Sequence, residues 1–186
     1  MYNIQFGAFQ TFEGFTDPLQ NRRSDYVLSL RQAARGLYYR LCFWSRLRWA
    51  WDKLTGQPAD LLDLGAVQAA STLRCCHYAG IQAVPIRCIR GSEGRADDFD
   101  SAFRPRNQRT RDRWVGIALA RALGTPMPLV HLIRVGDLYF VRDGHHRISV
   151  ARARGEEYIE AEVTVWVLAP RPATSQTPAF ALAYAA

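Results

Sequence analysis

The sequence predicts an α+β fold in the order strand, helix, β-hairpin, helix, strand, with an N-terminal helical extension. Three observations predict it. Apolar residues recur at helical spacing in residues 26–54, 110–123 and 146–154. Between and after these segments run alternating, β-rich stretches, of which "YIEAEVTVWVL" (158–168) is the strongest. Two further apolar runs, "LVHLIRV" and "LYFVR", are separated only by Gly136–Asp137, a spacing suited to a tight hairpin turn.

The elements follow in chain order. Residues 1–20 are aromatic and turn-rich without a clear period. In residues 26–54 one side carries Ala33, Leu37, Leu41, Trp44 and Trp51, and the other Arg31, Arg35, Arg46 and Lys53. Gly56 and Pro58 are expected to end that helix. A second helix is expected over 60–77, with Asp60 as N-cap and Gly80 beyond its end. "AVPIRCI" (83–89) alternates like a strand and leads into the polar loop "RGSEGRADDFD" (90–100). Val115, Ala118, Leu119 and Ala122 place a helix over 110–123, with Gly124 and Pro126 as stops. After the hairpin, the helix over 146–154 closes at Gly155. The Pro/Ala/Thr-rich tail over 169–186 is expected to be disordered. Three regions result: an extension over 1–78, a domain over 79–168, and the tail.

Composition narrows the function classes. The chain has 186 residues and a net charge of +7, carried almost wholly by arginine, since Lys53 is the only lysine. Arginine suits bidentate contacts with phosphate or carboxylate, although GC-rich coding produces the same bias. Cys42, Cys75, Cys76 and Cys88 show no CxxC spacing, so a zinc site is not indicated. With no signal-peptide pattern, reduced thiols in a cytoplasm are the expectation. No apolar run reaches the roughly 18 residues of a spanning helix.

The chemistry concentrates in "DGHHR", residues 143–147, at a strand-to-helix junction. His145 and His146 are adjacent, so on a helix their side chains diverge by roughly 100° and do not chelate one ion. A phosphate cradle suits the residues better. The first turn of a helix offers unpaired backbone N–H groups and partial positive charge to an anion. Gly144 removes the side chain that would block the approach, and Arg147 is one turn in, where it can clamp oxygens. Asp143 is placed to cap the helix or to hold Mg²⁺ through water. Arg95, Arg109 and Arg111 are further phosphate candidates. Asp97, Asp98 and Asp100 suit turn capping better than a metal, and His77 and His131 read as core or surface histidines.

The tract "DGHHRISVARARG", with a hairpin before it and a strand after it, resembles the ParB/sulfiredoxin-like superfamily, and "VPIRCIRGSEGR" adds to the likeness. The resemblance covers roughly residues 80–168. It implies a compact α+β fold with a phosphate-binding signature at this junction, and a nucleotide ligand such as ATP or CTP. Relatives include partitioning domains, sulfiredoxins, free-serine kinases and proteins described as nucleases. Sulfiredoxins carry a cysteine where His145 stands, so their sulfur chemistry is not expected. Residues beyond 168 are too few for the helix-turn-helix of partitioning proteins. The free-serine kinases match Asp143, Gly144, His146 and Arg147 one for one, and their catalytic loop glutamate corresponds to Glu93. That resemblance implies catalytic roles for Asp143, Glu93 and His146, phosphate contacts from Gly144, His145 and Arg147, and Mg²⁺.

Two functional readings remain open on sequence. One is an Mg²⁺-dependent phosphotransferase or phosphodiester hydrolase; the other is a non-catalytic nucleotide- or DNA-binding regulator. The stretch "GLYYRLCFWSRLRWAWDKL" (36–54) interleaves arginine with aromatic rings. Stacking on nucleic acid, lying in a membrane interface and gripping a partner all suit it. Docking of its apolar face on the domain is the favoured expectation. A homodimer is among the assemblies considered.

Overall fold

A computed structural model describes residues 18–56 and 60–170. The aromatic segment 1–17, Pro58 and the tail 171–186 lie outside the described residues. Helix α1 (Pro18–Thr55) opens on a proline, which suits a first helical position because its missing N–H has no partner there. There follow β1 (Leu62–Asp63), α2 (Leu64–Ala70), β2 (Ser71–Pro85) and β3 (Ile89–Ser92). The chain continues through α3 (Arg111–Ala122), β4 (Val130–Val135), β5 (Leu138–Asp143), α4 (His145–Ala153) and β6 (Tyr158–Pro170).

The six strands form one mixed sheet in the order β1-β3-β5-β4-β6-β2. β4 and β5 are the antiparallel hairpin about Gly136–Asp137, while β3 runs parallel to β5 and β4 parallel to β6. Alternation along the strands sends side chains to two cores. On one face Val130, Leu132, Val141, Ala161 and Val163 meet Ile148 and Ala151 of α4. On the other, Ile133, Val135, Phe140 and Trp166 meet Leu64 and Val67 of α2. A third cluster joins α1 to α3 and α4 through Tyr38, Cys42, Trp114, Val115 and Val150. The sheet is thus covered by α2 on one side and by α4, α3 and α1 in succession on the other.

Several elements differ from the sequence reading. Residues 71–77 are strand rather than helix, and β2 crosses the boundary drawn at 78/79. Its backbone groups pair with β6 from Ser71↔Pro170 to Pro85↔Tyr158, and this long-range ladder outweighs a weak local helical pattern. The last two residues of β6 likewise fall in the segment expected to be disordered tail. The N-cap of α2 is Asp63, which accepts from the Gly65 and Ala66 backbone N–H groups, while Asp60 pairs with Arg106. Within 83–89 a single 3-10 turn (Ile86–Cys88) separates the end of β2 from β3. On α1 the docked stripe is Ala34, Leu37, Tyr38, Leu41 and Cys42. Trp44 and Trp51, expected on that stripe, point away from it and are exposed. Tyr38 decides the register because it brings two things to the body at once. Its ring packs edge-on to Trp114, and its hydroxyl donates to Asn107 O at 2.6 Å.

Trp114 is the pivot between the helices: it is fully buried and donates from Nε1 to Ser149 Oγ of α4 at 2.9 Å. Trp114→Ala should cost about 3–5 kcal/mol, as expected for deleting a buried large ring. Urea unfolding followed by circular dichroism measures that loss; a cost below about 1 kcal/mol would contradict the α1–α3–α4 core.

Candidate functional site

The junction between β5 and α4 is built around Gly144. Its φ is +100°, in the left-handed region that favours glycine, and a Cβ there would stand 2.5 Å from Val130 Cγ1. Backbone and Val130 therefore touch directly, and the first turn of α4 begins at the sheet surface. Gly144 is itself the N-cap, and no side chain caps the helix, so Asp143 does not take the capping role anticipated for it.

Gly91 performs a related service on β3. A Cβ on it would overlap the Phe140 ring, so only glycine lets β3 lie this close to β5. The next residue, Ser92, is buried and reaches His145 Nε2 through Oγ at 2.7 Å. Ser92 Oγ also accepts the Arg95 backbone N–H at 3.1 Å, which fixes the loop after β3 beside α4.

His145 and His146 are each only 5% exposed. Phe99 stacks on His145 with ring centroids 6.1 Å apart and meets His146 edge-on at 5.2 Å. Burial, chiefly, pushes both imidazoles down to about 4 from an ordinary 6.5, helped for His145 by the Arg95 charge and for His146 by Arg113 and Arg95. At neutral pH both rings are uncharged. The Nδ1 atom of His146 is buried without a hydrogen-bond partner among the described residues. Such an orphan is uncommon in a folded interior.

A cleft of about 120 Å³ opens at this helix start, lined by Arg95, Arg113, Arg142, Gly144, His145 and His146 among others. The guanidinium groups of Arg95 and Arg113 make no ion pair or hydrogen bond to any described residue. Arg113 was not singled out from the sequence. The signal available was its helical spacing: it lies one turn before Ile117, which also borders the cleft.

The other expected site residues fall into two groups. Arg147 donates to Pro128 O and Leu129 O, both at 2.6 Å, and to the Asp143 carboxylate. It is a strut that ties the 124–129 loop to the junction, and its donors are already engaged. Glu93 is held by Arg142 through contacts of 2.7 and 3.3 Å. Asp143 is 58% exposed at its side chain. Burial alone would raise its carboxyl, but the Arg147 charge and the Gly144 N–H outweigh that and hold it below its ordinary value. Arg109 and Arg111 sit apart from the cleft. Arg111 is bound to Asp112 and the Tyr39 hydroxyl, and the Arg109 backbone N–H is taken by the Asn107 side chain.

The acidic run serves turns, as capping suggested. Asp100 accepts from Ala102 N, Arg104 N and Arg104 Nε, and Asp98 from Asn107 Nδ2. His131 and His77 are exposed on strands, with His131 3.7 Å from Glu162. Among the described residues no group of three metal-ligating side chains is assembled. A larger groove of about 440 Å³ lies on the far side of Arg147, but Arg121, Arg154 and Glu156 within it are paired with one another.

Comparison with known proteins adds no identification. No protein-family model matches the chain, and no curated protein is significantly similar to it.

The histidine pair makes stability depend on pH with a definite sign. Because the folded-state values lie below the unfolded ones, the unfolded chain takes up protons first as pH falls. The contribution is complete above about pH 6.5 and is lost as pH falls through about 4, on the order of 2–3 kcal/mol for each imidazole. Urea midpoints measured across that window should fall steeply, and His146→Leu should flatten part of the slope. An unchanged slope in the variant would contradict the buried neutral ring.

Proposed function

We propose that the protein binds the phosphate groups of a nucleotide at the start of α4, in the manner that the ParB/sulfiredoxin-like resemblance implies. The observation that carries this reading is the combination at one spot of an uncapped helix N-terminus, a glycine backbone and an orphaned, buried His146 Nδ1. Anions favour such a terminus because its first N–H groups lack intrahelical partners and the helix dipole is positive there. Arg95 and Arg113 supply the charge at the rim. The cleft is smaller than the roughly 300–1,000 Å³ of sites that enclose whole small molecules. A nucleotide would therefore seat a phosphate in it and leave base and sugar outside.

In this reading His145 and His146 are interior partners, with Ser92 fixing His145 so that its ring keeps one orientation. Arg147 acts on the phosphate indirectly, by holding Asp143 and the 128–129 carbonyls in place. Mg²⁺ commonly binds through one or two carboxylates together with substrate phosphates, and the exposed, ionised Asp143 is the carboxylate within reach. The donor set offers it no cage of its own.

Catalysis is the second reading, and one observation favours it: His146 Nδ1 is unpaired and its ring is neutral at pH 7, which leaves it a weak base. Asp143 and Glu93 are weaker candidates for that step, since each carboxylate is engaged by an arginine. The chemistry on this reading is transfer of a phosphoryl group to a hydroxyl or to water, with Arg95 and Arg113 offsetting charge.

Thermal-shift measurements with ATP, CTP, ADP and pyrophosphate, each with and without Mg²⁺, test the binding claim. At a ligand concentration about 100-fold above Kd, stabilisation should approach roughly 2.7 kcal/mol. Arg113→Ala should weaken affinity by about 1.5–3 kcal/mol, the worth of a charge-assisted hydrogen bond. Unchanged affinity in that variant would remove the cleft from the account. Asp143→Asn separates the two readings: an enzyme loses turnover and keeps binding, whereas a regulator shows no turnover in either form.

A further inference from the structure

Helix α1 has two apolar stripes, and the body of the protein uses one. Taking Tyr38 as the docked direction, the opposite side of the helix carries Phe43, Trp44, Leu47, Trp51 and Leu54 at three- and four-residue spacing. All five are exposed, from 50% at Leu47 to 83% at Leu54. Together they make a contiguous apolar strip about three turns long, of a kind that soluble surfaces seldom leave without a purpose. With Arg48, Ala50 and Arg104 the strip borders a shallow groove of about 460 Å³. No described residue covers it.

Charge selects the occupant. The 38 residues of α1 hold seven arginines and Lys53 against Asp25 and Asp52, a net of +6 within a chain whose total is +7. Arg46 lies beside the strip and Arg40 stands one turn before Trp44, while Arg48 borders it paired to Asp52 and Lys53 lies over the Trp49 ring. A second copy of the chain would bring the same cations face to face, and α1 contains no glutamate to pair them across a helix seam. Nucleic acid would require phosphates and stacked bases to alternate along a charged groove, whereas leucines and an alanine lie between these rings. A lipid surface accepts both features together. Tryptophan and phenylalanine sink to the headgroup level, leucine enters the acyl boundary, and flanking arginines meet anionic headgroups. Among the described residues no helix is long and apolar enough to cross a bilayer, so the contact proposed lies in the interface plane.

We propose that the Phe43–Leu54 part of α1 is an in-plane docking face for an anionic lipid surface. Docked this way, the helix keeps Tyr38 and Cys42 on the body and holds the protein against the membrane by its outer stripe.

The test is co-sedimentation of the full chain with vesicles, paired with its tryptophan emission. One set of vesicles is phosphatidylcholine alone; the other is an equal mixture of phosphatidylcholine and phosphatidylserine. The mixed vesicles should bind at least tenfold more protein, lose it as salt is raised, and shift the emission to the blue. Leu47→Glu combined with Trp51→Glu alters only exposed positions, so circular dichroism should be unchanged while sedimentation is abolished. Arg40→Gln with Arg46→Gln should weaken binding by about fivefold per residue. The proposal is overturned if anionic vesicles bind no protein, or if the Leu47/Trp51 variant binds as well as the parent. It is equally overturned if the strip closes a dimer by light scattering, or takes up single-stranded DNA, with no affinity for vesicles.

Discussion

The passage from β5 into α4 through Gly144 is the constraint on which the rest of the site depends. With φ at +100° and Val130 in contact, the chain turns off the sheet without any side chain between helix start and strand surface. Any other residue meets both penalties at once: backbone strain of order 1–3 kcal/mol and overlap with Val130. Because α4 starts so close to the sheet, His145 and His146 are carried inward rather than into solvent. Arg147 is then one turn along, where it bridges Asp143 to the carbonyls of Pro128 and Leu129. One glycine thus sets the positions of an acid, two imidazoles and an arginine.

Two buried, uncharged histidines beside a pair of arginines form an arrangement that folding alone does not favour. Ser92 satisfies one ring nitrogen of His145, but His146 Nδ1 gains nothing in return for its burial. An unmet buried polar atom costs about 1–3 kcal/mol. Arg95 and Arg113 hold positive charge beside the rings and so disfavour a proton on either. An anion at the helix start would reverse the sign of this local field, giving the arginines a partner and easing the electrostatic conflict. The proposed phosphate would thus give Arg95 and Arg113 the anionic partner that Asp143, engaged by Arg147, does not supply.

Much of the fold was legible because local pattern and long-range structure agree there. Val115 to Ala122 form the expected helix, the Gly136–Asp137 turn joins the expected hairpin, and the alternation of residues 158–168 lies within β6. Where the two disagree, the sequence misleads. Ser71 to His77 carry little intrinsic strand signal and are strand because β6 offers thirteen residues of edge to pair with, and the register of α1 turns on one hydroxyl of Tyr38. At the candidate site, residue types in 143–147 drew attention to the junction, but which side chains meet there needed geometry. An arginine four residues after an aspartate on a helix start bonds to it and is spent. Arg113 gives no such local cue, because what brings it to the cleft is the packing of α3 on α4 through Trp114 and Ser149.

The most direct measurement is a titration of the isotope-labelled full chain with pyrophosphate, followed by backbone amide resonances. If phosphate binds at the helix start, the amides of Gly144, His145 and His146 shift most and saturate together. Imidazole resonances of His146 should respond at the same concentrations. Shifts that are absent from these residues, or that are largest elsewhere on the molecule, would contradict the assignment of this junction as the phosphate site.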